Sequence, residues 1–177
     1  MSKQIAVVFG SSSIEVDSSE YLEAVQCGEV LAQLNYDVMT GGYGGVMEAV
    51  SVGSSNGSAK VYGVTSKTFT FRPEGANPYI TDEINAPNII QRIQVMVDNA
   101  SIFVVMPGNL GTLNELAMVL TLFKVGEAHQ KLYVWKKTFL DATNSLRKLG
   151  VIDESVLDLI EWVDDVSQLQ KLLSLPR

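Results

Sequence analysis

Cysteine and histidine are nearly absent from this sequence. Its 177 residues include one cysteine, Cys27, and one histidine, His129. A lone thiol forms no disulfide within the chain, and one residue of each type does not supply a thiolate or multi-histidine metal site. We therefore expect no metal and no cofactor. Because Cys27 falls within a helical pattern, we expect it to be a buried structural thiol.

Basic charge and long apolar runs are also scarce. The 13 lysine and arginine residues are outnumbered by 20 aspartate and glutamate residues, and the net charge is -7. That charge disfavours a nucleic-acid polymer as partner, because phosphate backbones require a basic surface. No apolar run approaches the length of a membrane span, about 18 residues, and no charged and then apolar leader opens the chain. We expect one soluble, cytoplasmic domain over residues 1–177 that does not associate with membranes.

Short apolar runs alternate with helical periodicity along the whole chain. The apolar runs predict strands at 5–9, 37–40, 61–65, 102–106 and 132–135, and a weaker sixth at 160–163. The periodic segments predict helices at 18–34, 45–56, 88–99, 112–125, 138–149 and 166–173. Strands that alternate with helices form βαβ units. The pattern therefore predicts an α/β fold, a doubly wound parallel sheet of about six strands with helices on both faces.

One segment, residues 66–87, interrupts this alternation. It is long and polar, it contains Arg72 and Glu74, and its prolines are Pro73, Pro78 and Pro87. A loop of this length within a compact domain is usually functional or mobile. We therefore expect a functional or mobile loop here.

Turns rich in glycine or serine follow three of the predicted strands. Because the carboxyl ends of parallel strands meet at one edge of a sheet, we expect these turns to converge on one anion-binding site. Four glycines in five positions of the second turn are conformationally costly, which favours close backbone approach to a ligand. The residues expected to hold phosphate or ribose are Gly10, Ser11 and Ser12; Gly41, Gly42, Gly44, Gly45 and Met47; and Pro107, Gly108, Asn109, Gly111 and Thr112.

The third turn is the most informative, because a helix with an early carboxylate follows it. Pro107 and Gly108 end the strand, and Thr112 is a candidate N-cap of the helix. Glu115 lies three residues after Thr112, so it is either the partner in a capping box or a carboxylate presented to a ligand. The exposed N–H groups and positive dipole at the start of this helix favour an anion.

Two common nucleotide motifs do not fit. A dinucleotide fingerprint places Gly-x-Gly-x-x-Gly directly after the first strand, whereas the glycines here follow the second strand. A P-loop requires Gly-Lys-Ser or Gly-Lys-Thr, and neither occurs. A mononucleotide or a sugar phosphate fits better than NAD.

Together, several motifs resemble the LOG family, Rossmann-like nucleotide-binding proteins often mislabelled lysine decarboxylases. The motifs are Gly10-Ser-Ser12, Gly41-Gly-Tyr-Gly-Gly-Val-Met47, Arg92, Pro107-Gly-x-x-Gly-Thr-x-x-Glu115 and Gly126-x-x-His-x-Lys131. The resemblance implies a homodimeric phosphoribohydrolase that cleaves the N-glycosidic bond of adenine-type nucleoside 5′-monophosphates. It also implies that Arg92 and Glu115 are the catalytic pair, and that the glycine turns and Thr112 hold phosphate and ribose.

The chemistry of these residue types is consistent with that reaction. Cleavage of a ribosyl C–N bond passes through an oxocarbenium-like state, which a carboxylate such as Glu115 stabilises, or the carboxylate activates the attacking water. Arg92 either binds phosphate or orients Glu115, unless it is simply a solvated helix residue. His129 is either an acid for the departing base or, as a structural role, the cap of a helix C-terminus.

Two positions differ from the family pattern and favour a competing hypothesis. Asn109 replaces a glycine of the phosphate turn, where we expect a left-handed backbone, and Ile93 replaces the lysine that usually follows the arginine. These replacements favour a non-catalytic nucleotide sensor, whereas Arg92 and Glu115 favour the enzyme. A lysine decarboxylase is disfavoured, because no lysine stands in a recognisable pyridoxal-phosphate setting.

The apolar content of two helices predicts self-association. These two helices carry more apolar side chains than one face of a sheet readily covers. The side chains are those of Ile89, Ile90, Ile93 and Met96 and the apolar residues of 116–123. A two-fold interface between copies of the chain is the natural way to bury them.

Overall fold

The computed structural model describes residues 3–69 and 75–175 and shows an α/β fold. In chain order the elements are β1 Gln4–Phe9, α1 Ser19–Gln33, β2 Tyr36–Thr40, α2 Val46–Ser55, β3 Val61–Ser66, β4 Asp82–Ala86, α3 Ile89–Asn99, β5 Ile102–Val105, α4 Leu110–Val125, β6 Lys131–Trp135, α5 Lys136–Lys148, α6 Glu154–Leu157, β7 Ile160–Val163 and α7 Val166–Leu173.

The strands of these two described ranges form one seven-stranded sheet, in the order β4-β3-β2-β1-β5-β6-β7. All neighbours are parallel. From β1 the chain steps outward to β4, and it then crosses to the other side of β1 to form β5. The strand order therefore reverses between β1 and β5, and ligands of such folds bind outside the carboxyl ends of strands at that point. The predicted Rossmann-like fold is confirmed.

Two layers of helices cover the sheet. Helices α1, α2 and α7 pack on one face, with Leu31, Val50 and Leu169 among their buried residues. Helices α3 to α6 pack on the other face, where Met96 and Val119 are fully buried. Strand β5 is buried throughout because helices lie on both of its faces.

Two glycines bring α1 and α2 into very close contact. A Cβ at Gly53 would lie 1.9 Å from the backbone oxygen of Val25, and a Cβ at Gly28 would lie 2.2 Å from that of Val50. Backbone approach of this kind leaves no room for a side chain. The contact holds α2, and the glycine turn that precedes it, in a defined position beside β1 and β2.

The segment predicted as a long loop contains an additional strand, which corrects the expected number of about six. Strand β4 pairs with β3 at the edge of the sheet, and its residues alternate between half-buried and exposed before the buried Ala86. An edge strand needs no continuous apolar run, so composition did not identify it. Arg72, Pro73 and Glu74 lie outside the described residues. The short helix α6 was also not predicted.

Two smaller observations complete the fold. Cys27 is fully buried, as expected, and burial raises the pKa of its thiol to about 12. Among residues 3–69 and 75–175, no helix has the length and apolar character that crossing a membrane requires.

Substitution of Gly53 by alanine is expected to destabilise the fold by roughly 1–3 kcal/mol, because the new methyl group would overlap the backbone of α1. The measurement is the free energy of unfolding in urea. Ser55→Ala, at an exposed position of the same helix, is the matched control and should change stability by less than about 0.5 kcal/mol. Equal stabilities of the two variants would contradict the close contact.

Candidate active site at the switch point

The three turns predicted to converge do meet at the carboxyl edge of the sheet. The backbone N–H of Ser11 donates to the carbonyl oxygen of Pro107 at 3.0 Å, which joins the first turn to the third. The N–H of Val46 donates to the carbonyl oxygen of Ser11 at 2.8 Å, which joins the first turn to the start of α2. The convergence follows from strand order, since β1 lies between β2 and β5.

A pocket of about 170 Å³ opens at this edge. Nine of the predicted site residues line it: Gly10, Ser11, Ser12, Met47, Arg92, Asn109, Gly111, Thr112 and Glu115. The pocket also includes five residues that were not predicted as site residues: Tyr43, Phe69, Ile89, Ile93 and Asn114. One wall is therefore polar and formed by turns, and the other is largely apolar.

The remaining predicted residues do not line the pocket, and at two of their glycines other atoms of the protein occupy the space of a Cβ. A Cβ at Gly41 would lie 1.8 Å from Nη2 of Arg92, and a Cβ at Gly45 would lie 2.4 Å from the backbone oxygen of Ser11. Gly45 also has a φ of +68°. The other predicted residues outside the lining are Gly42, Gly44, Pro107 and Gly108. A role for any of these residues in holding a ligand stays a prediction.

The start of α4 differs from the predicted capping arrangement. The helix begins at Leu110, and Asn109 occupies the N-cap position with φ −102° and ψ −154°. The expected left-handed conformation at Asn109 is therefore wrong. Thr112 is not the cap, because it lies inside the first turn, buried so closely against Gly108 that a Cβ there would lie 2.1 Å from Thr112 Oγ1. A capping box that pairs Glu115 with Thr112 is excluded with it.

Glu115 turns inward and pairs with Arg92. Their side chains approach to 3.5 Å between Glu115 Oε1 and Arg92 Nη1. Arg92 is 5% exposed and Glu115 is 9% exposed. The Nε of Arg92 donates to the carbonyl oxygen of Val64, near the end of β3, at 2.6 Å. The interpretation of Arg92 as a solvated helix residue is thus wrong.

Burial changes the acidity of both members of the pair. Loss of solvent raises the pKa of the Glu115 carboxyl to about 7, although the nearby Arg92 guanidinium opposes the rise. Burial also lowers the pKa of Arg92, and the Glu115 carboxylate opposes that shift. The pKa of Glu115 therefore lies closer to neutral pH than that of an ordinary glutamate, which suits a group that exchanges protons during a reaction.

Aromatic rings border the guanidinium. The Arg92 Cζ lies 5.6 Å from the ring centre of Tyr43 and 5.6 Å from that of Phe69. Asn77 supports the turn that carries Tyr43, because its backbone N–H donates to the oxygen of Gly42 at 2.7 Å and its side-chain amide donates to the oxygen of Tyr43 at 3.0 Å. No sequence signal identified Asn77. Tyr43 was not predicted as a site residue either, although it lies between the glycines of the second turn.

Two further residues have defined places. Ile93 is 4% exposed, lines the pocket and packs in the core against the sheet. His129 precedes β6, so it lies at the amino edge of the sheet, roughly 16 Å from the carboxyl edge for a five-residue strand. This distance argues against His129 as the acid for the departing base within the same chain, and the C-cap of α4 is Gly126 and not His129.

Comparison with known proteins assigns this arrangement to a family. Residues 47–173 match the family model described as "Possible lysine decarboxylase", which covers well over half of the chain. The chain belongs to this family, the LOG family, which confirms the resemblance found in its motifs.

Two relatives agree with that assignment, and a solved structure shares the fold. A cytokinin riboside 5′-monophosphate phosphoribohydrolase of Arabidopsis thaliana, LOG7, is 36% identical over 73% of this chain and 58% of its own length. A pyrimidine/purine nucleotide 5′-monophosphate nucleosidase of Escherichia coli K12 is 30% identical over 66% of this chain and 26% of its own length. The chain thus spans under two thirds of these relatives. A molybdenum cofactor binding protein of Rippkaea orientalis shares the fold, with a TM-score of 0.77 at 18% identity over 98% of this chain and 96% of its own.

The raised pKa of Glu115 predicts a pH dependence of stability. The pKa of the Glu115 carboxyl is about 7 in the folded protein, and its ordinary value is 4.5. The carboxyl therefore stabilises the folded state most below pH 4.5. Wild-type stability should therefore fall as pH rises from 4.5 to 7, by about 3 kcal/mol at most, and then level off. Urea unfolding at several pH values measures this decline. Glu115→Gln should remove this part of the slope, and an equal slope in both proteins would contradict the shift.

Proposed function

We propose that this pocket hydrolyses the N-glycosidic bond of a nucleoside 5′-monophosphate, AMP or a cytokinin-type nucleotide, to free base and ribose 5-phosphate. The chain acts in this proposal as a single nucleotide-binding domain. The observation that carries it is the buried Arg92–Glu115 pair, which borders a pocket at the start of a long helix. The names of the plant and bacterial relatives support the same reaction class.

The start of α4 is the proposed phosphate site. The first N–H groups of a helix lack intrahelical acceptors, and the positive end of the helix dipole favours an anion. Gly111 lies in the first turn of α4 and has no atom within 4 Å of where its Cβ would be, so a ligand has open access there. Ser11 and Ser12 face the same pocket from the first turn. The proposal places the phosphate between these two turns.

Glu115 is then the group nearest the reacting bond. In hydrolysis the water oxygen forms a bond to the anomeric carbon, and the C–N bond breaks with its electron pair and a proton going to the base. An ionised Glu115 stabilises the positive charge that develops on the ribose, or it accepts the proton of the attacking water. Arg92 opposes the burial that would otherwise keep Glu115 protonated, so the pair supplies a carboxylate in a largely dry site.

The competing function is a non-catalytic nucleotide sensor of the same fold. Its supporting observation is Ile93, which presents an apolar side chain to the pocket where the family commonly has lysine. Binding of AMP by the wild-type protein without release of base from any nucleoside monophosphate tested would establish the sensor and reject the hydrolase.

Glu115→Gln is expected to lower turnover of AMP at least 100-fold, about 2.7 kcal/mol of activation free energy, because a neutral amide does not stabilise an oxocarbenium ion. Chromatography of released base and ribose 5-phosphate measures the loss. Gln94→Glu, at an exposed position of α3, serves as a control for altered charge and should keep wild-type turnover. Arg92→Ala should also lower activity. Turnover within threefold of wild type in Glu115→Gln would contradict the catalytic role.

We also propose a two-fold homodimer, on a smaller surface than the sequence indicated. Ile93 and Met96 are buried within the chain, as are Leu116, Val119 and Leu120. The apolar side chains left exposed on α3 and α4 are Ile89 at 44%, Ile90 at 70%, Leu110 at 79%, Met118 at 36% and Val125 at 61%. A second copy of the chain would cover them.

Ile90→Asp is expected to convert the dimer to a monomer, because it places a charge within the proposed apolar interface. Light scattering at micromolar concentration measures the mass. Leu22→Asp is the matched control, since Leu22 is 50% exposed on α1, on the opposite face of the sheet, and this variant should remain dimeric. A monomeric wild-type protein would overturn the proposal.

A further inference from the structure

The glycine turn carries one large side chain, that of Tyr43, and the ring packs beside the buried cation of the site. Tyr43 is 6% exposed, and its ring centre lies 5.6 Å from the Arg92 Cζ. Phe69 lies at the same distance from the guanidinium, and the two rings are 5.7 Å apart. Aromatic faces attract a guanidinium, and the attraction is larger where both groups are removed from water.

Tyr43 is itself held at its backbone and at its hydroxyl. The hydroxyl oxygen accepts the N–H of Ser66 at 2.8 Å and donates to the carbonyl oxygen of Ser66 at 3.3 Å. The side-chain amide of Asn77 donates to the carbonyl oxygens of Gly42 at 3.2 Å and Tyr43 at 3.0 Å. These hydrogen bonds hold both ends of Tyr43 while its ring lies against Arg92.

The same end of β3 also holds Arg92 directly. Val64 accepts the Arg92 Nε, and Ser66, two residues further on, anchors Tyr43. Gly41 leaves the space that Nη2 occupies, since a Cβ there would lie 1.8 Å away. Of the guanidinium nitrogens, Nε and Nη2 are thus enclosed, and Nη1 is the one that approaches Glu115, at 3.5 Å.

We propose that Tyr43 is a positioning residue, which holds the Arg92 guanidinium so that Nη1 faces the Glu115 carboxylate. Its catalytic consequence rests on the hydrolase function proposed above, whereas the placement of Arg92 can be measured without turnover. We assign Tyr43 no proton-transfer step, because its hydroxyl is hydrogen-bonded to the backbone of Ser66.

The test compares Tyr43→Leu, which removes the ring, with Tyr43→Phe, which keeps the ring and loses the Ser66 anchor. Phe123→Leu is the matched control, because Phe123, on α4, packs against Phe103 of β5 and does not line the pocket. The first measurement is the NMR titration of the Glu115 carboxyl carbon. The second is hydrogen exchange of the Arg92 Nε–H, which reports the bond to Val64.

Tyr43→Leu is expected to raise the titration midpoint of Glu115 by about 1 pKa unit, because a displaced Arg92 no longer favours the carboxylate. It should also speed Nε–H exchange at least tenfold and lower kcat/KM at least tenfold. Phe123→Leu should change none of the three. An unchanged midpoint together with unchanged exchange in Tyr43→Leu overturns the proposal, whatever happens to stability.

Two outcomes separate this inference from the function on which it rests. If the wild-type protein turns over no nucleotide but both NMR measurements change as expected, the hydrolase proposal fails and the positioning role stands. If Tyr43→Leu does not fold, Tyr43→Phe decides. Loss of the Ser66 anchor should then speed Nε–H exchange at least twofold, and exchange at the wild-type rate overturns the role.

Discussion

The buried pair of Arg92 and Glu115 is the interaction on which the site depends. Two ionisable groups removed from water are unfavourable unless their geometry and remaining hydrogen bonds compensate for the lost hydration. Here the compensation comes from the carbonyl oxygen of Val64, the faces of two aromatic rings and the charge of the partner. Removal of either partner would leave the other charge buried alone.

Much of the surrounding backbone is arranged to admit this pair. Gly41 has no side chain where Arg92 Nη2 lies, and Gly45 has none where the first turn passes. The position of Thr112 against Gly108 sets the first turn of α4, from which Glu115 projects inward. Gly41 and Gly45 thus make room in this chain for other atoms of the protein, whereas Gly10 and Gly111 line the pocket.

The fold and much of the site could be predicted because their signals are local. Buried parallel strands are short apolar runs, so β1, β2, β3, β5, β6 and β7 were placed within about two residues of their observed positions. The convergence of three turns followed from parallel strands sharing one edge. Arg92 and Glu115 were expected as a pair through the family resemblance, and the structure brings them together.

What escaped prediction depends on contacts between distant parts of the chain. Edge strand β4 is half exposed and polar, and only its pairing with β3 makes it a strand. The predicted start of α4 lies two residues after the observed one. Threonine is a residue type typical of N-caps, but Asn109 and not Thr112 occupies the N-cap position. Asn77 supports a turn 35 residues before it, and no spacing or composition rule reveals such a partner.

We propose that burial sets the acidity of Glu115 for cleavage of a nucleoside monophosphate. The pH dependence of kcat/KM for AMP tests it most directly, since this ratio reports ionisation of the free enzyme. If the ionised form of Glu115 is the working form and its pKa is about 7, kcat/KM should rise with pH up to about 7 and level off above it. A profile that is flat from pH 5.5 to 8.5, or one that falls as pH rises through 7, would contradict it.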